Sequence, residues 1–137
     1  MIKLTVRDAI EVQLAIPKVP KLIAKSAYWL ARIAAACAVH GRAFERKRNA
    51  MIREQGVFDE KTKNYSIPPD QFADYNENVE KMMDENIEIE FKKLKVDELV
   101  DVNRKPIEIE AATMAGLMSI LDGEDGNPTG APLSVIK

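Results

Sequence analysis

The sequence predicts a mainly α, α+β fold: a long antiparallel helical hairpin, a small β element and a C-terminal helix. Three observations carry that prediction. Lys21 to about Glu54 is a helical pattern unbroken by proline, apolar nearly all round in its first half and basic in its second. An acidic helical pattern from about Asp70 follows a proline-containing loop. Two short stretches, Ile87–Phe91 and Ile107–Glu110, change the apolar period to two.

The N-terminal segment comes first. Ile2, Leu4 and Val6 alternate with polar residues as in a short strand. Thr5 stands three residues before Asp8, a capping-box spacing that opens a short helix from about Val6 to Ala15. Pro17 and Pro20 punctuate the chain, because neither can donate an i→i−4 bond.

Helix two follows, with Pro20 in its first turn. Leu22, Ser26, Trp29, Leu30, Ile33, Ala36, Cys37, His40, Phe44 and Met51 fall on one face at 100° per residue. Opposite them lie Ala24, Ala31, Ala35 and Ala38, flanked by Tyr28 and Val39. After Gly41 that second face becomes Arg42, Arg46, Asn49 and Arg53. The first half is therefore expected to be covered on two sides and the second half on one. Such a helix is roughly 50 Å long. Gly41 is expected to weaken its middle and to mark a bend, and Gly56 to cap its end in the left-handed region.

Val57–Pro69 reads as a loop with a small β-turn near Lys63-Asn64. Helix three begins near Asp70, with acidic residues in its first turn. Phe72, Tyr75, Val79, Met82 and Met83 share one of its faces. Arg42–Glu54 holds five basic and two acidic residues, and Asp70–Glu90 holds eight acidic and one basic. That complementarity predicts that helix three returns along helix two and neutralises it.

Ile87, Ile89 and Phe91 form a half-buried strand, and Leu94 and Val96 take the opposite parity, which places a break near Lys92-Lys93. Asp97 is placed to cap a single turn through Val100. After Pro106, Ile107 and Ile109 give a second short strand. A helix from about Glu110 to Leu121, stopped by Asp122-Gly123, covers the strands with Met114, Leu117, Met118 and Leu121. The division is a single helical domain at 1–122 and a Gly/Pro-rich tail at 123–137. By composition the tail orders only where Leu133, Val135 and Ile136 dock on something.

Bulk properties exclude several classes. A net charge of −2 favours neither nucleic acid nor an anionic membrane. The single cysteine, Cys37, excludes an internal disulfide and fits a reducing compartment. Charge at Lys3, Arg7 and Asp8 breaks any signal-peptide core. Lys25 and Arg32 interrupt the best candidate membrane span.

No catalytic, cofactor or metal site is expected. Cys37 and His40 stand one turn apart, a spacing open to a Cys–His dyad, but the simpler reading makes both core-facing. Asp84, Glu85, Glu88 and Glu90 lack the loop that organises calcium ligands and read as a solvated face. DGEDGN in the tail lacks the later bidentate glutamate. The segment RAFERKRNAMIR, within Arg42–Glu54 whose net excess is only three positive charges, and with Phe44 directed inward, reads as an intramolecular or partner-facing stripe.

The layout resembles a family of small bacteriophage proteins of unknown function. The matching pieces are Leu4-Thr5, KLIAKSAYWLARI, FERKRNAMIREQG, the proline loop, the acidic helix with its Met pair, and IEIEFKKLKVDEL before a Leu-rich helix. The likeness spans roughly residues 1–121 and includes no catalytic motif. The tail and the alanine run around Ala34–Ala38 fall outside it. It implies a phage origin, and a location in the host cytoplasm during infection or in the virion.

The expectation is a non-enzymatic protein acting through protein–protein contacts, as a virion- or tail-associated structural or assembly component. Its partners would be itself or other phage structural proteins. A host-directed factor that inhibits a bacterial protein or sequesters a signalling ligand is the alternative, and a nucleic-acid-binding accessory protein is the third. The partner-binding candidates are Ala24, Ala31, Ala35, Ala38, Arg42, Arg46 and Arg53, with Leu133, Val135 and Ile136 in the tail. The alanine stripe is either covered by helix one and the last helix, the simpler arrangement, or left for a helix of a second chain.

Overall fold

The computed structural model describes residues 1–122 and the backbone of residues 134–136. Strand β1 (Ile2–Thr5) runs directly into helix α1 (Val6–Ala15). Thr5 sits at the junction because its side chain satisfies the helix start. Its hydroxyl accepts the Asp8 N–H at 3.1 Å, while the Asp8 carboxylate accepts the Thr5 N–H at 3.0 Å. β1 pairs antiparallel with β4 (Asn86–Ile89), Ile2 opposite Ile89 and Leu4 opposite Ile87. The two alternating stretches thus become one ribbon, and its apolar face is buried through Ile2, Leu4 and Ile89.

Helix α2 spans Ala24–Gln55 without interruption. It starts later than Pro20 suggested, because its first turn is tied to a distant loop rather than to a proline or a capping side chain. The Ile23 N–H donates to the Val100 carbonyl at 2.8 Å, and the buried Ser26 hydroxyl donates to the Glu98 carbonyl. The buried stripe of α2 is Ser26, Leu30, Ile33, Cys37, Gly41 and Phe44, at steps of three or four.

Gly41 does not interrupt the helix. It is buried beneath α1, where a Cβ would overlap the side-chain oxygen of Gln13, so its use is close approach. Gly56 is not left-handed either. Its backbone is extended (φ −88°, ψ 163°), and a Cβ there would run into the carbonyl oxygens of Ile52 and Ser66.

The expected loop is a β-hairpin, β2 (Val57–Asp59) with β3 (Asn64–Ser66), turned by Lys63 in the left-handed region at φ 57°. A 3₁₀ turn at Pro69–Gln71 precedes helix α3 (Phe72–Met83), whose last turn lies beside the middle of α2: Met82 shares a surface hollow with His40, Ala43 and Phe44. α3 therefore returns along the second half of α2, but none of its residues is buried. The helix that covers the buried stripe of α2 is α1.

The remaining elements close the core from the same side. β5 (Leu94–Lys95) pairs parallel with β7 (Leu121–Asp122), and the chain bends at Glu90-Phe91, just before the expected Lys92-Lys93 break. Strand β6 (Glu108–Glu110) leads into helix α4 (Ala111–Leu117), which gives way to a 3₁₀ turn at Met118–Ile120. The helix thus ends before Asp122-Gly123, because Leu121 is already part of β7. β8 (Ser134–Ile136), within the tail, pairs parallel with β6, Val135 opposite Ile109. Ile2, Ile33, Leu99, Ile109, Leu117 and Ile120 are almost fully buried, so the core draws on nearly every part of the chain except the end of α2, the β2–β3 hairpin and α3.

α4 crosses α1 where Gly116 meets it. A Cβ at Gly116 would lie 2.9 Å from the Ala15 Cβ and 3.2 Å from the Glu11 carbonyl oxygen. Neither atom can rotate away, whereas the Gln13 side chain facing Gly41 can. Gly116→Ala should therefore cost about 1–3 kcal/mol through overpacking. Gly41→Ala should be neutral or gain up to about 1 kcal/mol of helix propensity. Urea denaturation of the two variants checks the contrast, and equal destabilisation of both would contradict it.

Candidate functional site

The charge pairing expected inside the hairpin does not form. Among the described residues the carboxylates of α3 are answered by α1: Arg7 pairs with Glu80 and, at 3.4 Å, with Asp84. Lys81 pairs with Glu77 within α3 itself. Arg42, Arg46 and Arg53 are exposed and make no ion pair with a described residue, although the Arg46 Nε donates to the Arg42 carbonyl. Arg48 turns its guanidinium over the Phe44 ring, 5.7 Å from the centroid. The opposite charge totals were real, but the lone arginine at the start of α1 stands nearer to the acidic helix end.

The alanine stripe is open. Ala24, Ala31 and Ala35 are exposed and Ala38 is half-buried, with Tyr28 60% and Val39 53% exposed beside them. The two-sided burial expected for the first half of α2 is thus corrected: α1, β4 and β5 pack on α2 away from this line, and α4 packs on α1. Neither α1 nor α4 reaches the alanines. In the tail, Val135 and Ile136 belong to β8, while Leu133 lies outside the described residues.

Cys37 and His40 form no dyad. Cys37 is wholly buried in the core, and desolvation pushes its thiol up to about 11. His40 is half-buried beside Val6, Ala43, Lys47, Glu85 and Ile87. The acidic run is divided: Asp84 goes to Arg7, the Glu85 carbonyl accepts the Val6 N–H at 3.0 Å, and Glu88 stands opposite Lys3 across the ribbon. Among the described residues no three His, Cys, Asp or Glu side chains gather as a metal would require. No described helix is long and apolar enough to cross a membrane.

A different constellation is assembled on the flank of α2. Lys25, Trp29 and Arg32 follow one another at steps of four and three, so they share one side of the helix. The turn after β4 brings Phe91, Lys92, Lys93 and Lys95 against them, and the elements enclose a cleft of about 800 Å³. The Trp29 and Phe91 rings meet edge to face, centroids 5.8 Å apart and planes at 80°. The Arg32 guanidinium lies 5.4 Å from the Trp29 centroid, 5.3 Å from that of Phe91 and 5.5 Å from that of Tyr28. Five cationic side chains and two carboxylates, Glu90 and Glu98, line the cleft.

In the sequence alone, Lys25 and Arg32 interrupt a membrane span, Lys92-Lys93 mark a strand break, and all four fall in stretches that carry the resemblance. The Lys25–Trp29–Arg32 spacing and the FKKLK run were the available signals. Their meeting required the β1–β4 and β5–β7 pairings.

The buried thiol gives a direct check on the core. At pH 8 a thiol titrating near 11 is ~0.1% thiolate, so Cys37 should resist Ellman's reagent in the native protein and react at once on unfolding. The folded state holds the thiol proton more tightly than the unfolded chain. Its contribution to stability is therefore complete below the ordinary value of 9.0 and is lost as pH rises toward about 11. Rapid native labelling at pH 8, or a Cys37→Ala variant with the same alkaline loss of stability, would contradict this assignment. Comparison of the chain with protein-family models, with curated proteins and with solved structures finds no match.

Proposed function

We propose that the chain is a non-enzymatic protein that works through protein–protein contact. In the phage setting its layout resembles, it is a virion- or tail-associated structural or assembly component. The observation that carries the reading is the outward side of α2, where Ala24, Tyr28, Ala31, Ala35 and Val39 are exposed directly opposite the buried stripe. Alanine at this spacing lets a second helix approach to about 8 Å, the near end of the usual range. Tyr28 and Val39 at the edges add apolar area and, in Tyr28, a side chain of the type that anchors interfaces.

The same line continues into Arg42, Arg46 and Arg53, which lack ion-pair partners among the described residues. The fitting partner is a helix with small or apolar residues along one stripe and carboxylates at one end. It comes from a second copy of the chain or from another structural protein. The acidic α3 is engaged by Arg7 and does not cover this line.

The test is incorporation into particles. Mass spectrometry of purified parent particles should detect the protein. Ala31→Glu and Ala35→Glu, both at exposed positions, should keep the circular dichroism spectrum and reduce incorporation about tenfold or more, as a buried unpaired charge does at an interface. A protein missing from particles, whose deletion leaves assembly intact, would overturn the structural reading. A host enzyme captured by the wild type and lost with both variants would instead support a host-directed factor using the same face.

A further inference from the structure

We propose that the cleft on the flank of α2 is a binding site for a free nucleotide, a heteroaromatic base carrying phosphate. Two kinds of side chain meet there that a solvated surface has no reason to bring together. The Trp29–Phe91 corner is half-buried and aromatic, the surface that a flat heteroaromatic ring recognises by stacking or edge contact. Around it stand Lys25 and Arg32 from one wall and Lys93 and Lys95 from the other, the donors that phosphate oxygens require.

Arg32 is the link between the two halves. Its guanidinium is surrounded by the rings of Tyr28, Trp29 and Phe91 at 5.3–5.5 Å. Arg32 makes no ion pair with a described residue, so its N–H donors stay available for bidentate contact with an anion.

A purely structural salt-bridge cluster would have used the carboxylates already present. Glu90 and Glu98 line the same cleft, yet among the described residues neither pairs with any of its cations. The concentrated positive charge is left for an outside anion to neutralise. At about 800 Å³ the space falls within the range of small-molecule sites, enough for one nucleotide with its phosphates. It lies to the side of the alanine line and adjoins it at Tyr28, whose ring meets Arg32; Ala31 and Ala35 on the one side and Lys93 on the other separate the two surfaces in a test.

Trp29 is the chain's only tryptophan, so intrinsic fluorescence reports on the cleft directly. The probes are ATP, GTP and UTP, with adenosine and inorganic tripolyphosphate as controls lacking phosphate or base. At least one nucleoside triphosphate should quench Trp29 saturably, with each control about tenfold weaker or more. Arg32→Ala and Lys93→Ala should lower the affinity about tenfold with the circular dichroism spectrum unchanged. Equilibrium dialysis on Lys93→Ala, which leaves the ring cluster intact, guards against a change in fluorescence alone.

Tripolyphosphate binding as tightly as the nucleotides would overturn base recognition. A single-stranded oligonucleotide that binds where no mononucleotide does would overturn the free nucleotide and assign the cleft to a strand. No response to any nucleotide at millimolar concentration would overturn the site itself. None of these results bears on particle incorporation, which the alanine-line variants report.

Discussion

Ten residues of α1 are held between two other helices, and on each side one close approach is made where the neighbour carries no side chain. Gly41 of α2 meets Gln13 on one side, and Gly116 of α4 meets Ala15 and the Glu11 carbonyl on the other. Ala9 and Val12, fully buried, fill the space between. A helix this short is marginal in isolation, and its entry is fixed locally. Thr5 and Asp8 satisfy its first turn, β1 is already paired with β4, and Arg7 reaches the last turn of α3. With α1 there, α4 packs on α1 rather than on the exposed side of α2. The opposite side of α2 is left uncovered by that constraint, whatever its composition.

Features set by a few neighbouring residues were legible in the sequence. The Thr5–Asp8 box, the alternation through Leu4 and through Ile89, and the three-and-four spacing from Leu30 to Phe44 each describe a structure made by nearby atoms. Features set by a remote neighbour were not. Gly41 was weighed for its propensity, but its lack of a Cβ serves α1. The start of α2 was assigned to Pro20, but the groups it answers to are the carbonyls of Glu98 and Val100. Charge totals have no geometry, and so they gave the acidic helix the wrong partner. Arg7 outweighs a whole basic segment because it sits within reach of Glu80 and Asp84.

The candidate sites divide in the same way. The alanine line was visible because it is a property of one helix, and only its exposure needed the fold. The aromatic and basic cleft was half visible: Lys25, Trp29 and Arg32 are also a property of one helix, but Phe91 and the lysines after it arrive by strand pairing. A residue with an evident local meaning is easily assigned to that meaning alone. Lys25 and Arg32 explain why α2 is not a membrane span, yet the rings gathered around Arg32 give it a position that this explanation does not use.

One-sided packing makes α2 both scaffold and display. A helix buried all round must spend its sequence on the core; α2 commits one stripe to it and presents the rest. The flank next to the core gains a second wall from the β4–β5 turn and becomes a concave site, suited to a small ligand. The outward line has no second wall and stays convex, suited only to something as extended as itself. Shape thus separates the two proposed roles before chemistry does. Placing lysines and rings on the concave flank and alanines on the convex line then matches each surface to the class of partner its shape admits.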